Sequence, residues 1–164
     1  MENNMYPTKN SIPEKNRIQI VNVLQEHLSN SIDLVLQAKQ AHWNVKGPDF
    51  IALHKLFDEV YKDAGDYSDL IAERIVQLGG IAKGTINSTE KLSELPEYPL
   101  TISASHQHIS IIAHSLAYYE ESIRNGLMRV NEVNDQVTAD ILTEISRRVN
   151  KLLWFVEAHL QGSQ

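Results

Sequence analysis

Apolar positions recur along this chain at helical spacing almost without interruption. Ile18, Val21, Leu24, Leu28, Ile32, Val35 and Leu36 mark one face of a first helix running to about Val45. Ahead of it, Ser11-Ile12-Pro13-Glu14 reads as a capping box with proline in the first turn. Lys46-Gly47-Pro48 breaks that helix. A second helix spans about Asp49 to Leu78 and stops at Gly79-Gly80. Residues 79 to 102 form a long connection with Pro96 and Pro99, and a short helix is predicted near Glu90–Leu95. A third helix covers roughly Ser103 to Val130 and a fourth roughly Asp135 to Leu160.

The two short links and the one long link set the topology. A helix of about 29 residues is roughly 43 Å long, a span the long connection can cross back over. The layout is therefore all-α, a four-helix bundle ordered up-down-down-up with one long crossover carrying a short helix, which is the ferritin-like topology. Residues 1–12 are expected to be a flexible polar tail and residues 13–161 a single domain.

The second helix carries the candidate chemistry. Its main apolar stripe, Phe50, Leu53, Phe57, Val60, Ala64, Ile71, Ile75 and Leu78, should face the chain's own core. Nearly opposite lie two i,i+4 pairs, His54 with Asp58 and Asp69 with Glu73. A solvated charged face is the ordinary fate of such residues, but here they are interleaved with Ile51, Tyr61, Gly65, Ala72 and Val76. That mixture suits a second packing seam with embedded ligands. The centres of the two pairs are about 15 residues apart, roughly 22 Å along the axis, so one ion cannot touch both on a straight helix. An antiparallel copy crossing at Ala64 and Gly65 would set His54 and Asp58 of one chain against Asp69 and Glu73 of the other. A site formed only in a two-fold dimer is expected.

His42 lies one turn before the Gly47-Pro48 break, within reach of the start of the second helix. A lone helical histidine is usually a satisfied packing residue. Alongside His54 and Asp58, and with Asp69 and Glu73 from a partner, it completes a set of two imidazoles and three carboxylates. That donor set suits Fe(II) and would also accept Zn(II) or Mn(II). Bundles that build a di-iron site within one chain use Glu-x-x-His motifs, and this chain has none.

Composition narrows the classes. The 164 residues are 42% hydrophobic and 22% charged, ordinary for one globular domain. No apolar run approaches membrane-spanning length, and the first 17 residues lack the apolar stretch of a signal peptide. Without cysteine there is no disulfide, thiolate ligand or thiol nucleophile. A cytoplasmic location is the default expectation. A net charge of −6 works against general nucleic-acid affinity.

The run from Lys39 through His42, Trp43, Gly47, Pro48, Phe50, Leu53, His54 and Phe57 to Asp58, followed by Asp69, Ala72, Glu73 and Arg74, resembles the Dps family, the mini-ferritins. Leu152, Trp154, Phe155, Glu157, Ala158 and His159 are similar to that family's last helix, and the likeness extends over residues 13–161. The resemblance implies a homo-dodecameric shell built on two-fold dimers. It implies a ferroxidase that oxidises Fe(II) to Fe(III), preferentially with hydrogen peroxide, at sites holding two irons each, and stores ferric mineral inside. All five family ligand positions carry the expected types: His42, His54, Asp58, Asp69 and Glu73.

Other residues carry weaker signals. Trp43 resembles the family's tryptophan near iron, a quencher of stray oxidising equivalents or simply a packing aromatic. Asp135, Asp140 and Glu144 open the fourth helix, where acids favour the dipole of any helix; by family likeness they would line a three-fold pore for Fe(II). Glu59, Asp63 and Asp66 suit either mineral nucleation or a solvated face. His106, His108 and His114 are expected at a surface or interface, and Tyr118-Tyr119 in the core.

The alternative function is a DNA-coating structural protein. Family members that bind DNA strongly carry a lysine-rich tail, whereas residues 1–17 here have a side-chain net of only +1. DNA binding is expected to be weak or absent.

Overall fold

A computed structural model describes residues 5–161 of the chain. Five helices account for nearly all of it: α1 Glu14–Asn44, α2 Phe50–Gln77, α3 Ile86–Leu92, α4 Ser105–Glu132 and α5 Gln136–Gln161. There is no strand among the described residues, only an isolated parallel bridge between Lys46 and Ala104.

Side-chain bonds fix the helix directions. Ser68 Oγ donates to Ser31 Oγ at 2.9 Å and Lys39 meets Asp58, so α2 runs back along α1. Ser115 donates to Gln37 while Arg129 pairs with Glu26, so α4 is antiparallel to α1. Arg74 pairs with Asp135 and Arg148 with Asp63, so α5 is antiparallel to α2. The crossover climbs alongside α1, from Lys83 at Gln25 to Pro96 at Gln37. This is the up-down-down-up bundle that the link lengths require. Its core includes Ile20, Leu24, Phe57, Ile71, Tyr67, Ile112, Tyr119 and Leu142, each without solvent exposure.

Several boundaries differ from the sequence expectation. The first helix begins at Glu14 with Pro13 at its cap and no side-chain cap bond, so Ser11 does not close a capping box. Proline disfavours helical geometry in the residue before it, which keeps Ile12 outside the helix. Asn10 Oδ1 instead accepts from the Ile12 amide at 2.9 Å. The short helix lies at Ile86–Leu92 rather than Glu90–Leu95. Beyond it, Ser93 donates to Asp33 and the Glu94 amide to Asn30, holding that stretch extended ahead of Pro96.

Of the segment expected to be a tail, residues 5–12 are described. Met5 packs against the core, and the Tyr6 amide donates to Gly79 O at 2.7 Å. Gly79 ends α2 with a φ of +87°, and a Cβ there would meet Tyr6 O at 2.6 Å. Glycine is required on both counts. No described helix is long and apolar enough to cross a membrane.

Candidate metal centre

The predicted core stripe of α2 faces inward, with Leu53, Phe57, Val60, Ala64, Ile71 and Ile75 all buried. Phe50 is the exception at 42% exposed, because it sits over the His54 ring at 5.1 Å rather than in the core. On the opposite side Ile51 and Val76 are each 60% exposed. Of the two expected crossing residues, Ala64 is fully buried in its own bundle. Only Gly65 faces outward, and a Cβ on it would meet nothing within 4 Å. No contact within the chain demands glycine there.

His42 and His54 come together across the α1–α2 turn. Their rings stack 3.6 Å apart at 22°. His42 Nδ1 donates to His54 O at 2.7 Å, and His54 Nδ1 donates to His42 O at 2.9 Å. A carbonyl oxygen only accepts, so each Nδ1 carries the hydrogen. In the neutral form of such a ring the lone pair is on Nε2, the arrangement found when a second hydrogen bond orients a metal-binding imidazole.

Asp58 lies one turn along α2, but two lysines hold it. Lys39 Nζ contacts Oδ1 at 2.6 Å and Lys62 Nζ contacts Oδ2 at 2.8 Å. These hydrogen bonds, Lys39's first, hold the Asp58 carboxyl well below the usual carboxylate range. Lys39 also lies 4.1 Å over the Tyr61 ring. Neither lysine was singled out from the sequence as a site residue. Lys62 was detectable as the i+4 partner of Asp58, and Lys39 as a member of the His42 helix face.

Asp69 and Glu73, farther along α2, are exposed and form no hydrogen bond or ion pair with any described residue. Among the described residues no three or more His, Asp or Glu side chains gather closely enough to hold a metal ion within one chain. The five candidates thus fall into a histidine-aspartate group at one end of α2 and two free carboxylates at the other.

The remaining candidates are placed as follows. Asp135 does not face an opening: it is 3% exposed, and Arg74 Nη2 donates to both its oxygens at 2.9 Å. Burial pushes its carboxyl up, but hydrogen bonds from Thr138 and Arg74 outweigh that and hold it below its ordinary value. As the residue capping α5 it is structural, which removes it from the expected pore. Asp140 is exposed and Glu144 half-buried. Asp63 and Asp66 pair with Arg148 at 2.7 and 3.1 Å, while Glu59 is exposed. His106 and His114 are exposed, but His108 is buried and bonded to the Tyr98 hydroxyl at 2.5 Å. It belongs to the core because the crossover covers the start of α4. Burial lowers its pKa, partly opposed by the Asn44 backbone. Tyr119 is core and Tyr118 half-buried. Trp43 is 68% exposed beside His42.

Comparison with known proteins agrees with this architecture. The ferritin-like domain family matches residues 21–163. A DNA protection during starvation protein of Agrobacterium fabrum is 40% identical over 156 residues, covering 95% of this chain and 96% of the relative. The structure is similar to DpsA14 from Streptomyces coelicolor, with a TM-score of 0.92 and 29% identity over 98% of this chain and 95% of that one. It is also similar to Dps from Microbacterium arborescens in its high iron form, with a TM-score of 0.85 and 30% identity over 94% and 98% of the two chains. The chain belongs to the Dps family of ferritin-like proteins.

Proposed function

We propose that this protein is a ferroxidase and iron store. It oxidises Fe(II), preferentially with hydrogen peroxide, at sites shared across two-fold interfaces, and it keeps the ferric product inside a dodecameric shell. His42, His54 and Asp58 of one chain and Asp69 and Glu73 of its mate hold two irons per site, and Zn(II) would compete for the same donors. The observation that carries this reading is the His42–His54 pair, whose reciprocal Nδ1 bonds leave both Nε2 atoms as bases. Gly65, between the two ligand groups, and the exposed Ile51 and Val76 that flank them supply the seam for a mate. The high-iron form of a 30% identical relative supports iron as cargo.

Iron is the substrate, and its redox chemistry drives the reaction. Two Fe(II) ions each lose one electron, and one hydrogen peroxide takes both electrons with two protons to give two waters. Pairing the irons avoids the single-electron step that would release hydroxyl radical. The protein contributes ligands, proximity and negative charge.

Anaerobic Fe(II) titration followed by peroxide, with the mass of the assembly measured in parallel, tests the proposal. Expected are about two Fe(II) per chain pair site, stoichiometric oxidation by peroxide and a twelve-chain mass. Absent oxidation together with a strong gel shift of DNA near physiological salt would favour the DNA-coating alternative.

A further inference from the structure

Asp69 and Glu73 form no hydrogen bond with any described residue, so among these it is the backbone of α2 that decides where their carboxylates stand. They lie in its last three turns. The residue next to Glu73 is Arg74, whose side chain turns the other way, into the bundle, and is 7% exposed. Its Nη2 reaches both oxygens of Asp135, its Nε donates to Thr138 Oγ1 at 2.9 Å and its Nη1 to Gln77 Oε1 at 3.3 Å. Asp135 in turn accepts from the Thr138 amide at 3.2 Å and from the Thr138 hydroxyl. The guanidinium is thus bonded along two edges, to the first turn of α5 and to the last turn of α2.

A buried ion pair of this kind adds little net stability over apolar packing of the same volume, because desolvating two charges offsets their attraction. What it does supply is direction. A planar guanidinium bonded through Nε and Nη2 to the start of α5 restricts how its turn of α2 can rotate against that helix. Neighbouring helical residues project about 100° apart, so fixing Arg74 against α5 also fixes the direction of Glu73, and of Asp69 one turn earlier.

We infer that Arg74, Asp135 and Thr138 form a positioning clamp that aims Glu73 and Asp69 out of the bundle for a metal ion held with the mate's histidines. The inference rests on the proposed ligand role of Glu73. Asp135, placed by sequence likeness in an ion pore, acts instead on the ferroxidase site from the bundle side of α2.

A double-mutant cycle on the assembled protein tests it, with anaerobic Co(II) as probe and its visible absorption as the readout. The variants are Glu73→Gln, Asp135→Asn and the double. Asp135→Asn keeps the shape of the clamp while removing its charge. It should weaken Co(II) binding by about tenfold, the usual cost of losing an orienting partner. It should also alter the Co(II) band shape. In the Glu73→Gln background the same change should cost almost nothing, because the group it aims is gone. Equal losses in both backgrounds, or no loss in either, would overturn the clamp while leaving the ligand assignment intact. If Glu73→Gln alone leaves Co(II) binding unchanged, the ligand assignment itself fails and the clamp falls with it. Should Asp135→Asn not assemble, Arg74→Lys keeps a positive charge facing Asp135 but loses the Nε bond to Thr138, and the same cycle decides.

Discussion

The imidazoles of His42 and His54 lie face to face, each giving its Nδ1 hydrogen to the other residue's backbone carbonyl. The two helices that meet at the Gly47 turn are therefore tied by the same two side chains that are proposed as metal ligands. Under the proposed assignment, the geometry of the histidine side is set within one chain, whereas the carboxylate side needs a mate.

Asp58→Ala and Glu73→Ala should each abolish most peroxide-driven Fe(II) oxidation, because they damage complementary halves of every shared site. Subunit exchange between the two inactive proteins should then restore activity, since a mixed pair contains one intact site of its two. Verified mixed dimers that stay inactive would exclude the two-fold arrangement.

A Cβ on Gly65 would meet no described atom within 4 Å beyond its own stretch of helix, so no packing within the chain calls for glycine there. Glycine inside a helix costs about 1 kcal/mol relative to alanine, a cost that the proposed close crossing would offset. Gly65→Leu should spread the pair by an ångström or more and lower Fe(II) oxidation about 10- to 100-fold, with helical circular dichroism preserved. Oxidation at the parent rate in an assembled Gly65→Leu protein would rule out the close crossing.

Lys39 occupies one oxygen of Asp58 and places a positive charge where a divalent cation should bind. Lys39→Met should free that oxygen and tighten Co(II) binding about threefold to tenfold, up to about 1.4 kcal/mol. Weaker binding would mean that the lysine holds Asp58 in its working orientation rather than competing with the metal.

His27 is buried between α1 and α4, beside Tyr119, Ser122 and Gly126, with the Arg129–Glu26 pair at the rim. Burial, aided by the Arg129 charge, pulls its pKa from 6.5 to about 4. The unfolded chain therefore binds the proton first. This contribution to stability is full above pH 6.5 and is lost as the pH falls toward 4, by on the order of 3 kcal/mol. Urea unfolding at fixed protein concentration should show that decline, and His27→Gln should flatten it. An unchanged slope in His27→Gln would assign the acid sensitivity elsewhere.

How much of this was readable from residue order depends on the range of the force involved. The four long helices, the crossover and the inward face of α2 follow from hydrophobic period and from Gly47, Pro48 and Gly79, because periodicity and backbone restriction act within a few residues. The five candidate ligands were selected on signals of the same local kind, i,i+4 spacing and family likeness, both written in the order of residues.

Partner choice was not legible. Lys39 on Asp58, Arg74 on Asp135 and the Tyr98–His108 bond join residues from 10 to 61 positions apart, whereas only the i,i+4 pairing of Lys62 with Asp58 is local. Asp135 and Asp140 look alike as acids opening one helix, yet the first is sealed against α2 and the second is exposed. His108 and His106 sit two residues apart, yet only one points under the crossover. Local pattern decided which helices form and which side of each is apolar. Only the packing of those helices decided which charged and polar groups on them were buried together, because desolvation and hydrogen bonding depend on neighbours brought in from distant parts of the chain.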